Sequence, residues 1–415
     1  MIQQPNRPSS YDVIVIGGGP AGTALATFLQ RQGHTCLVLN DSTFPRYHIG
    51  ESLIPHTYGT LDRLGLLPQL RASHFPVKHS VRFVSPSGEE ADPFYFSETV
   101  EGDRARTWQV ERSEFDQMCL DNALQAGVEV RMGTSVHEVL FENGQAVGVT
   151  AHQGAEAPTE IRSKVVVDAS GRATIIGKQL GLREEVPNLQ KSSIWSYYRG
   201  GRRLEGIDGG ETTVFMIKDR GWFWYIPLPD DIVSVGVVAA PEYLFDESND
   251  FEEVYRREVA RCQPLGQRLQ NAEQVDIVRG IRKLAYLNRQ VAGDGWIMIG
   301  DAAGFLDPIY SSGLFLALAS AELAANCVHE ALEKNDLSAG QLGAFTGALW
   351  DGVDVVWRVI KAYYDPAFSF RSFAVKYPQH RAALIDCLIG DVVGKDMTPF
   401  LTALAEMTPP PARLK

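Results

Sequence analysis

The sequence predicts an α/β fold: a Rossmann-like nucleotide-binding domain, an antiparallel sheet inserted into it, and a mainly helical C-terminal region. Three observations predict this arrangement. Short β-branched runs are typical of buried parallel strands, and a glycine-rich turn joins the first run to a helix. From about 186 to 275 the pattern becomes alternating and aromatic, as in antiparallel strands with one exposed face.

The first βαβ unit is the clearest local feature. Tyr11 to Ile16 is the first buried strand, Thr23 to Gln32 is a helix ended by Gly33, and Cys36 to Leu39 is the second strand. Further strands are predicted at Ser80 to Val84, Ala105 to Val110, Lys164 to Val167 and Trp296 to Ile299, and further helices at Arg112 to Gln125 and Leu314 to Leu332.

These elements divide the chain into three parts. The nucleotide-binding domain is discontinuous and comprises residues 8–75, 108–185 and 276–335. A sheet-rich domain is formed by residues 76–107 and 186–275, and a helical region follows at 336–415.

The acidic composition argues against nucleic-acid and membrane partners. The formal net charge is -12, whereas nucleic acids and anionic membranes require a basic surface. The longest apolar stretch, Trp296 to Leu318, is interrupted by Asp301, Asp307 and Pro308, so no membrane span is expected. Five cysteines without a C-x-x-C pair and a polar stretch at Met1 to Ser10 predict a cytoplasmic protein.

A G-x-G-x-x-G pattern at Gly17, Gly19 and Gly22 predicts a dinucleotide site, with Ala21 inside the turn. The first glycine permits the tight turn, the second lets the pyrophosphate approach, and the third allows close packing of helix on strand. A bare cluster of turn glycines is the alternative, which the flanking strand and helix disfavour. The acidic residue expected on the ribose is replaced by Asn40, which accepts a hydrogen bond without charge.

Several segments resemble the two-domain flavin monooxygenase superfamily, which binds FAD. The turn from Gly17 to Gly22 resembles its first FAD motif. The later FAD segments have counterparts from Asp168 to Gly171 and from Gly300 to Asp301 and beyond, and Gln109 to Arg112 matches the segment that reaches the flavin. The resemblance implies cofactor contacts from Gln109, Arg112, Asp168, Gly171, Gly300 and Asp301.

Three further segments resemble the flavin-dependent halogenases. They are Phe44 to Arg46 with Gly50 to Leu53 and Lys78, then Trp222 to Pro227, then Phe305 to Gly313. The second segment fits the family's W-x-W-x-I-P pattern in full. The resemblance implies an FAD enzyme that uses FADH2, O2 and chloride or bromide to make hypohalous acid, which a tunnel conducts to a lysine.

The resemblance assigns roles to individual residues. Lys78 is the catalytic group, because a lysine buried among aromatic side chains is readily neutral and nucleophilic. Backbone N–H groups of Ser312 and Gly313 are expected to hold the halide at a helix N-terminus. The shielding wall is formed by Trp222, Trp224, Ile226 and Pro227, and the flavin contacts are extended by Arg46, Glu51 and Ser52.

Each role has a plainer alternative. Lys78 could be a solvated surface lysine, Trp222 and Trp224 could be ordinary core residues, and Gly313 could simply begin a helix. The histidines at 48, 56, 74 and 79 have no ligand spacing, so no metal site is expected.

The substrate is predicted to be an electron-rich aromatic. Indole-acting family members place a glutamate beside the halide-site serine, but here that position is Tyr310, next to Ser311. A missing carboxylate favours a phenol or a pyrrole, free or tethered to a carrier protein, and the sequence leans towards a phenol. Since no second nucleotide fingerprint is visible, FADH2 is expected from a separate NAD(P)H flavin reductase.

Three other functions stay open from the sequence. An FAD-dependent aromatic monooxygenase shares the fold and the cofactor, but the two tryptophans should obstruct its substrate. A flavin reductase of isoprenoid double bonds shares the Gly-Glu-Ser neighbourhood. A non-catalytic flavin carrier would leave the tryptophan and lysine features without a purpose.

Overall fold

The computed structural model describes residues 10–186, 188–217 and 221–411. The predicted domain ranges also include residues 8–9, 187, 218–220 and 412–415, and these lie outside the described part of the chain. The polar N-terminal stretch singled out in the sequence lies outside it up to residue 9.

The described strands follow one another in chain order. They are β1 (Ser10–Ile16), β2 (Cys36–Asn40), β3 (Val77–Lys78), β4 (Ser80–Val84), β5 (Phe94–Tyr95), β6 (Thr107–Trp108), β7 (Glu129–Met132), β8 (Thr134–Glu142), β9 (Gln145–Gln153), β10 (Thr159–Asp168), β11 (Arg183–Glu185), β12 (Ser192–Arg199), β13 (Thr212–Ile217), β14 (Gly221–Pro227), β15 (Ile232–Ala239), β16 (Glu273–Gln274), β17 (Arg279–Ile281), β18 (Tyr286–Asn288), β19 (Ala292–Gly293), β20 (Trp296–Met298) and β21 (Gly304–Phe305).

The described α-helices are numbered in the same way. They are α1 (Pro20–Arg31), α2 (Thr57–Leu64), α3 (Leu67–Ala72), α4 (Arg112–Gln125), α5 (Ile175–Gln179), α6 (Pro241–Leu244), α7 (Phe251–Arg261), α8 (Gln263–Arg268), α9 (Ser312–Lys334), α10 (Ala339–Leu342), α11 (Thr346–Tyr363), α12 (Phe370–Lys376), α13 (Arg381–Ile389) and α14 (Thr398–Ala405).

The nucleotide-binding sheet has the order β19-β20-β10-β1-β2-β7, and its central pairs are parallel. β1 and β2 are almost entirely buried, because one face packs against helices α1 and α9 and the other packs mainly against the β8–β9 hairpin. The hairpin of β8 and β9 joins the sheet antiparallel to β10. The predicted α/β architecture is therefore confirmed, and the carboxyl ends of β1, β10 and β20 bring the glycine turn and the later FAD segments to one edge.

The second sheet has the order β16-β12-β15-β14-β13-β4-β5. Its pairs are antiparallel as predicted, except that β4, which comes from the earlier segment, pairs with β13 in parallel. The predicted sheet-rich domain also contains helices, since α6, α7 and α8 lie between β15 and β16. Finally, β17 pairs with β12, so this sheet extends beyond the predicted boundary at 275.

The C-terminal region from α10 onward is helical, as predicted. Its long helix α11 buries one apolar face that includes Val355, Val356 and Val359.

One predicted strand is shorter than expected. Only Thr107–Trp108 of the stretch from Ala105 to Val110 forms a strand, and it pairs with β3. Among the described helices, none combines the length and apolar character that crossing a membrane requires.

Candidate active site

The three glycines of the turn between β1 and α1 differ in how closely the rest of the protein packs against them. Gly17 has φ of +106°, and a Cβ there would lie 2.4 Å from the carbonyl oxygen of Ala169. A Cβ on Gly22 would lie 2.0 Å from the carbonyl oxygen of Gly17. A Cβ on Gly19 would meet only Arg46 Nη2, at 3.5 Å, so the chain itself does not require this glycine. Gly17 and Gly22 serve the turn, whereas Gly19 leaves space at the helix N-terminus where a pyrophosphate fits.

Two residues predicted to contact the cofactor lie beside this turn. Asn40 accepts a hydrogen bond of 2.9 Å from the N–H of Gly18, and its amide donates to the carbonyl oxygen of Ser42 at 2.7 Å. Its side chain therefore braces the turn in addition to any ribose contact. Arg46 Nη2 lies 3.3 Å from Asp116 Oδ2, which aims the guanidinium across Gly19 towards the helix N-terminus.

Arg112 fixes the loop that carries Glu51. Its Nη1 donates to the carbonyl oxygens of Ile49 and Gly50, and its Nε donates to Asp116 at 2.8 Å. Asp301 lies in the turn that follows β20, where burial raises the pKa of its carboxyl group to about 6, while Arg172 and Arg112 lower it. Such a partly buried carboxylate at a strand end fits a cofactor hydroxyl.

Two other predicted cofactor residues have protein partners instead. Asp168 accepts hydrogen bonds from the N–H groups of Ser170 and Ile176, so its carboxylate holds the turn after β10. Gln109 donates to the carbonyl oxygen of Gly210 at 2.9 Å and to Thr212 Oγ1 at 2.8 Å. Its Oε1 is buried and has no partner among the described residues.

The turns after β10 and β20 contain the remaining two predicted glycines. Gly171 and Gly300 have φ of +60° and +56°, a left-handed conformation that favours glycine. The N–H of Gly300 donates to Ser320 Oγ, which ties this turn to α9. Both turns therefore hold the backbone at the edge of the sheet where the glycine turn also lies.

Lys78 is completely buried, with 0% of its surface exposed. Its Nζ is 2.7 Å from Ser52 Oγ and 3.3 Å from the carbonyl oxygen of Leu53. The ring of Phe96 lies 5.6 Å from the amine. Burial lowers the pKa of the Lys78 ammonium to about 7, and the carboxylate of Glu211 acts in the opposite direction. The interpretation of Lys78 as a solvated surface lysine is therefore wrong.

Local packing positions the Lys78 amine. β3 pairs with β6, so that Lys78 faces Thr107 across the ladder. Gly210 packs so closely that a Cβ there would lie 2.1 Å from the carbonyl oxygen of Val77. Ser52 Oγ also lies 3.1 Å from Thr212 Oγ1. No sequence motif marks Gly210 or Thr212, because their partners come from distant parts of the chain.

The two predicted shielding tryptophans face the same side of β14. The ring centroids of Trp222 and Trp224 are 6.1 Å apart, and Trp195 on β12 adds a third indole 6.3 Å from Trp224. Gly236 makes room for this cluster, since a Cβ there would lie 2.2 Å from Trp224. Ile226 and Pro227 complete the buried end of β14. Trp195 could have been found from the aromatic alternation of β12.

Lys78 and the indoles are linked through one sheet face. Directly paired residues of antiparallel strands point to the same side, and so do residues two apart on one strand. Trp224 pairs with Val214, and Thr212 is two residues before Val214 on β13. Thr212, which joins the Lys78 network through Ser52, therefore shares the face that carries Trp222 and Trp224.

The predicted halide segment ends at the N-terminus of α9. Ser311 has φ of +52° and precedes Ser312, the first residue of the helix. A Cβ on Gly313 would meet only Phe305, at 3.7 Å, so packing alone does not require this glycine. A cavity at this point is lined by both Ser312 and Gly313 together with Gly300 and Asp301. The helix N–H groups thus meet the predicted cofactor turn at a common cavity.

The substrate contact expected of Tyr310 stays a prediction, and its hydroxyl has a partner within the protein. Its hydroxyl donates to the carbonyl oxygen of Val359 in α11 at 3.3 Å, and the residue is buried. Tyr310 therefore anchors the halide segment to the C-terminal region, and the neighbouring Ser311 supplies the left-handed turn before α9.

A buried network connects the indole wall to the halide segment. Trp222 Nε1 donates to the hydroxyl of Tyr364 at 2.9 Å, and that hydroxyl donates to Asp307 Oδ2 at 3.0 Å. Asp307 Oδ1 accepts from the N–H of Ile309. Burial raises the pKa of the Asp307 carboxyl group to about 7, against the hydrogen bonds from Ile309 and Tyr364 and the charge of Lys191.

We expect Asp307→Asn to flatten the pH dependence of the stability of the ligand-free protein. A folded pKa near 7 means that folded Asp307 keeps its proton while the unfolded chain ionises above its ordinary value of 3.8. Stability from this group is therefore complete below the unfolded pKa and is lost as pH rises towards 7. Between about pH 4 and pH 8 the free energy of unfolding should fall by on the order of 3 kcal/mol more in the wild type than in the variant. Equal losses in urea unfolding would contradict this assignment.

One group with metal-binding side chains lies away from this site. His34, His329 and Glu333 bring ligand atoms within 4.8 Å of one another, and the two histidines share a hydrogen bond of 2.8 Å. His329 and Glu333 lie in the C-terminal half of α9, whereas the halide segment is at its N-terminus. The expectation of no metal stays a prediction.

Comparison with known proteins gives concordant matches. A family model described as tryptophan halogenase matches residues 12–101 and 97–365. A chlorinase of the 1H-pyrrole-2-carbonyl peptidyl-carrier protein from Pseudomonas fluorescens is 32% identical over 418 residues, covering 96% of this chain and 93% of the relative. The corresponding brominase from Pseudoalteromonas luteoviolacea is 33% identical over 330 residues, 79% of each chain. The solved flavin-dependent brominase Bmp2 superposes with a TM-score of 0.86 at 29% identity, covering 96% and 98% of the two chains.

Proposed function

The chain belongs to the tryptophan halogenase family, and on this premise we propose that it halogenates an electron-rich aromatic with FADH2, O2 and chloride or bromide. FAD fits the residues present, since Gly19 and Gly313 leave open space beside Arg46 and beside the cavity lined by Asp301. Bound as FADH2, the cofactor supplies the two electrons that activate O2 in this family. The family model and the relatives confirm the resemblance to flavin-dependent halogenases.

The observation that carries the proposal is the burial of the Lys78 amine. An amine with a pKa near 7 is substantially neutral at physiological pH, so its nitrogen lone pair is available. A neutral amine can hold hypohalous acid by a hydrogen bond or react with it. In that reaction an N–X bond forms, the X–O bond breaks, and one N–H proton leaves with the hydroxide as water.

The other site residues have matching tasks in the proposal. First-turn N–H groups of α9 lack carbonyl partners within the helix and attract an anion, so Ser312 and Gly313 are proposed to hold the halide. Trp222 and Trp224, with Ile226 and Pro227, are proposed to keep the aromatic substrate from the cofactor. This wall disfavours the aromatic monooxygenase, whose substrate must reach the flavin directly.

The substrate that the relatives favour is a pyrrole on a carrier protein. Both pyrrole-acting relatives named above are described as acting on a peptidyl-carrier-protein conjugate. This replaces the expectation of a phenol. FADH2 is proposed to come from a separate NAD(P)H flavin reductase.

The basic residues of the C-terminal region give little support to a carrier-binding patch there. Arg371 lies 3.1 Å from Glu89, Arg381 lies 2.9 Å from Glu98, and Lys376 lies 3.8 Å from Glu406. Lys361 donates to the carbonyl oxygen of Asn188. Three of these four charges are thus balanced by nearby carboxylates, so the proposal names the substrate chemistry without assigning the docking face.

The test is a competition between acceptors. We expect a pyrrolyl group on a phosphopantetheinylated carrier to be halogenated at least about ten times more efficiently than free pyrrole-2-carboxylate or a free phenol, because the tether adds binding energy remote from the ring. The assay contains FAD, NADH, a flavin reductase, O2 and bromide, and products are identified by mass spectrometry. Hydroxylated product without halogen would select the monooxygenase. Reduced isoprenoid double bonds would select the reductase.

A further inference from the structure

A chain of hydrogen bonds leads from the protein surface to a buried carboxyl group. Tyr47 is 44% exposed, and its hydroxyl lies 3.0 Å from the hydroxyl of Tyr197. Tyr197 is buried on β12 and donates to Glu51 Oε1 at 2.6 Å. Glu51 is 3% exposed and immediately precedes Ser52, whose hydroxyl contacts Lys78.

While Glu51 Oε1 carries no proton, the direction of every hydrogen bond between Tyr47 and Glu51 is determined. The single proton of Tyr197 goes to Glu51, so Tyr47 must donate to the oxygen of Tyr197. The indole N–H of Trp195 donates to Tyr47 and cannot accept, which leaves the Tyr47 proton free for Tyr197. All donors therefore point inward, towards Glu51.

One oxygen of the Glu51 carboxyl group, Oε1, accepts the hydrogen bond from Tyr197, and the other, Oε2, lies outside this series of hydrogen bonds. Oε2 is buried and makes no well-formed hydrogen bond among the described residues, although the hydroxyl of Ser234 lies close enough to the carboxyl group to influence its pKa. Burial raises the pKa of the Glu51 carboxyl group to about 7, although hydrogen bonding from Tyr197 and Ser234 and the positive charge of Arg112 lower it. A carboxyl group with this pKa can both accept and release a proton near neutral pH.

The halogenation reaction needs such a supply. For an aromatic RH and a halide X⁻, the balanced equation is FADH2 + O2 + RH + X⁻ + H⁺ → FAD + RX + 2 H2O, so each turnover consumes one proton. A site enclosed by indole rings and a buried lysine must obtain that proton through the protein.

We propose that Tyr47, Tyr197 and Glu51 form a proton relay from solvent to the cofactor side of the site, an inference that rests on the proposed halogenase function. A proton leaves Glu51 Oε2 for the reacting groups as the Tyr197 proton arrives on Oε1. The Tyr47 proton moves to the Tyr197 oxygen, and water reprotonates Tyr47. Each residue ends with the number of protons it began with.

The charged groups around the relay are few. Arg112 on α4 and Glu111 just before it act on Glu51 with opposite sign. The guanidinium of Arg279 on β17 lies 4.2 Å from the ring of Tyr47. Arg279 is itself paired with Asp276 at 2.7 Å, so the outer end of the relay carries little net charge.

Tyr197→Phe removes the central hydroxyl and tests the relay. We expect halogenated product to form at least about ten times more slowly at about pH 8, with the deficit shrinking as pH falls, because protons must then reach Glu51 by a slower route. A second readout needs no cofactor. Infrared titration of the ligand-free protein, with the Glu51 band assigned from Glu51→Gln, should show a higher Glu51 pKa in Tyr197→Phe, since a hydrogen bond to the carboxylate is lost.

Tyr198→Phe is the matched control, because Tyr198 is the next residue on β12 and packs on the opposite face against Tyr255. It should keep the wild-type pH profile and the wild-type Glu51 band. If Tyr197→Phe does not fold, the half-exposed Tyr47→Phe should give the same pH-dependent deficit. Identical profiles for Tyr197→Phe and Tyr198→Phe, or an unshifted Glu51 band, overturn the relay. A wild-type enzyme that makes no halogenated product overturns the proposed function and, with it, the purpose of the relay, while the infrared titration still tests the hydrogen bond from Tyr197 to Glu51.

Discussion

Lys78→Ala is expected to lower the rate of halogen transfer at least about 100-fold, while oxidation of FADH2 continues. The reason is that the amine is the group proposed to receive the hypohalous acid, whereas the proposed cofactor contacts lie elsewhere. The measurement is a parallel record of FADH2 oxidation and of halogenated product. Hypohalous acid released to solvent should appear as halogenation of monochlorodimedone.

Two further variants separate chemistry from packing. Lys78→Met keeps the length and fills the buried space near Phe96 without a nitrogen, so it should be as inactive as Lys78→Ala but more stable. Lys283→Ala removes an exposed lysine paired with Glu185 and should be fully active. If Lys78→Met transfers halogen at the wild-type rate, the amine has no role.

Gly19→Ala is expected to weaken FAD binding at least about ten-fold while leaving the unfolding free energy of the ligand-free protein nearly unchanged. A Cβ at Gly19 meets only the flexible end of Arg46, so the chain tolerates it. The added Cβ would hinder the pyrophosphate, because the pyrophosphate must approach the backbone N–H groups closely. Fluorescence titration with FAD and urea unfolding measure the two quantities.

Gly22→Ala is the matched contrast within the same turn. Its Cβ would lie 2.0 Å from a backbone oxygen, which cannot move without distorting the turn. We expect it to destabilise the ligand-free protein by about 2–4 kcal/mol. Equal destabilisation by the two substitutions would mean that Gly19 is also required by packing and that no space is reserved for phosphates.

Local sequence predicted much of the framework. The run from Tyr11 to Gly33 determines a strand, a turn and a helix through neighbouring residues alone, and α4 begins and ends where the pattern from Arg112 to Gln125 places it. Alternation in β14 correctly put Trp222 and Trp224 on one face. The predicted cofactor and halide roles of individual residues stay predictions.

Contacts between distant segments were not readable from the sequence. Asp307 and Tyr364 are 57 residues apart, and Tyr197 is 146 residues from Glu51. No periodicity within an element specifies such pairs, because they depend on how the two sheets and the C-terminal helices pack. The parallel pairing of β4 with β13 escaped prediction for the same reason.

The most direct test of the account is a crystal structure of the protein with FAD and bromide, in which the anomalous signal of bromine locates the halide. The account predicts bromide at the N–H groups of Ser312 and Gly313 beside the isoalloxazine. It also predicts a passage along Trp222 and Trp224 that ends at Lys78 Nζ. Bromide bound elsewhere, or a Lys78 amine sealed from the isoalloxazine, would contradict it.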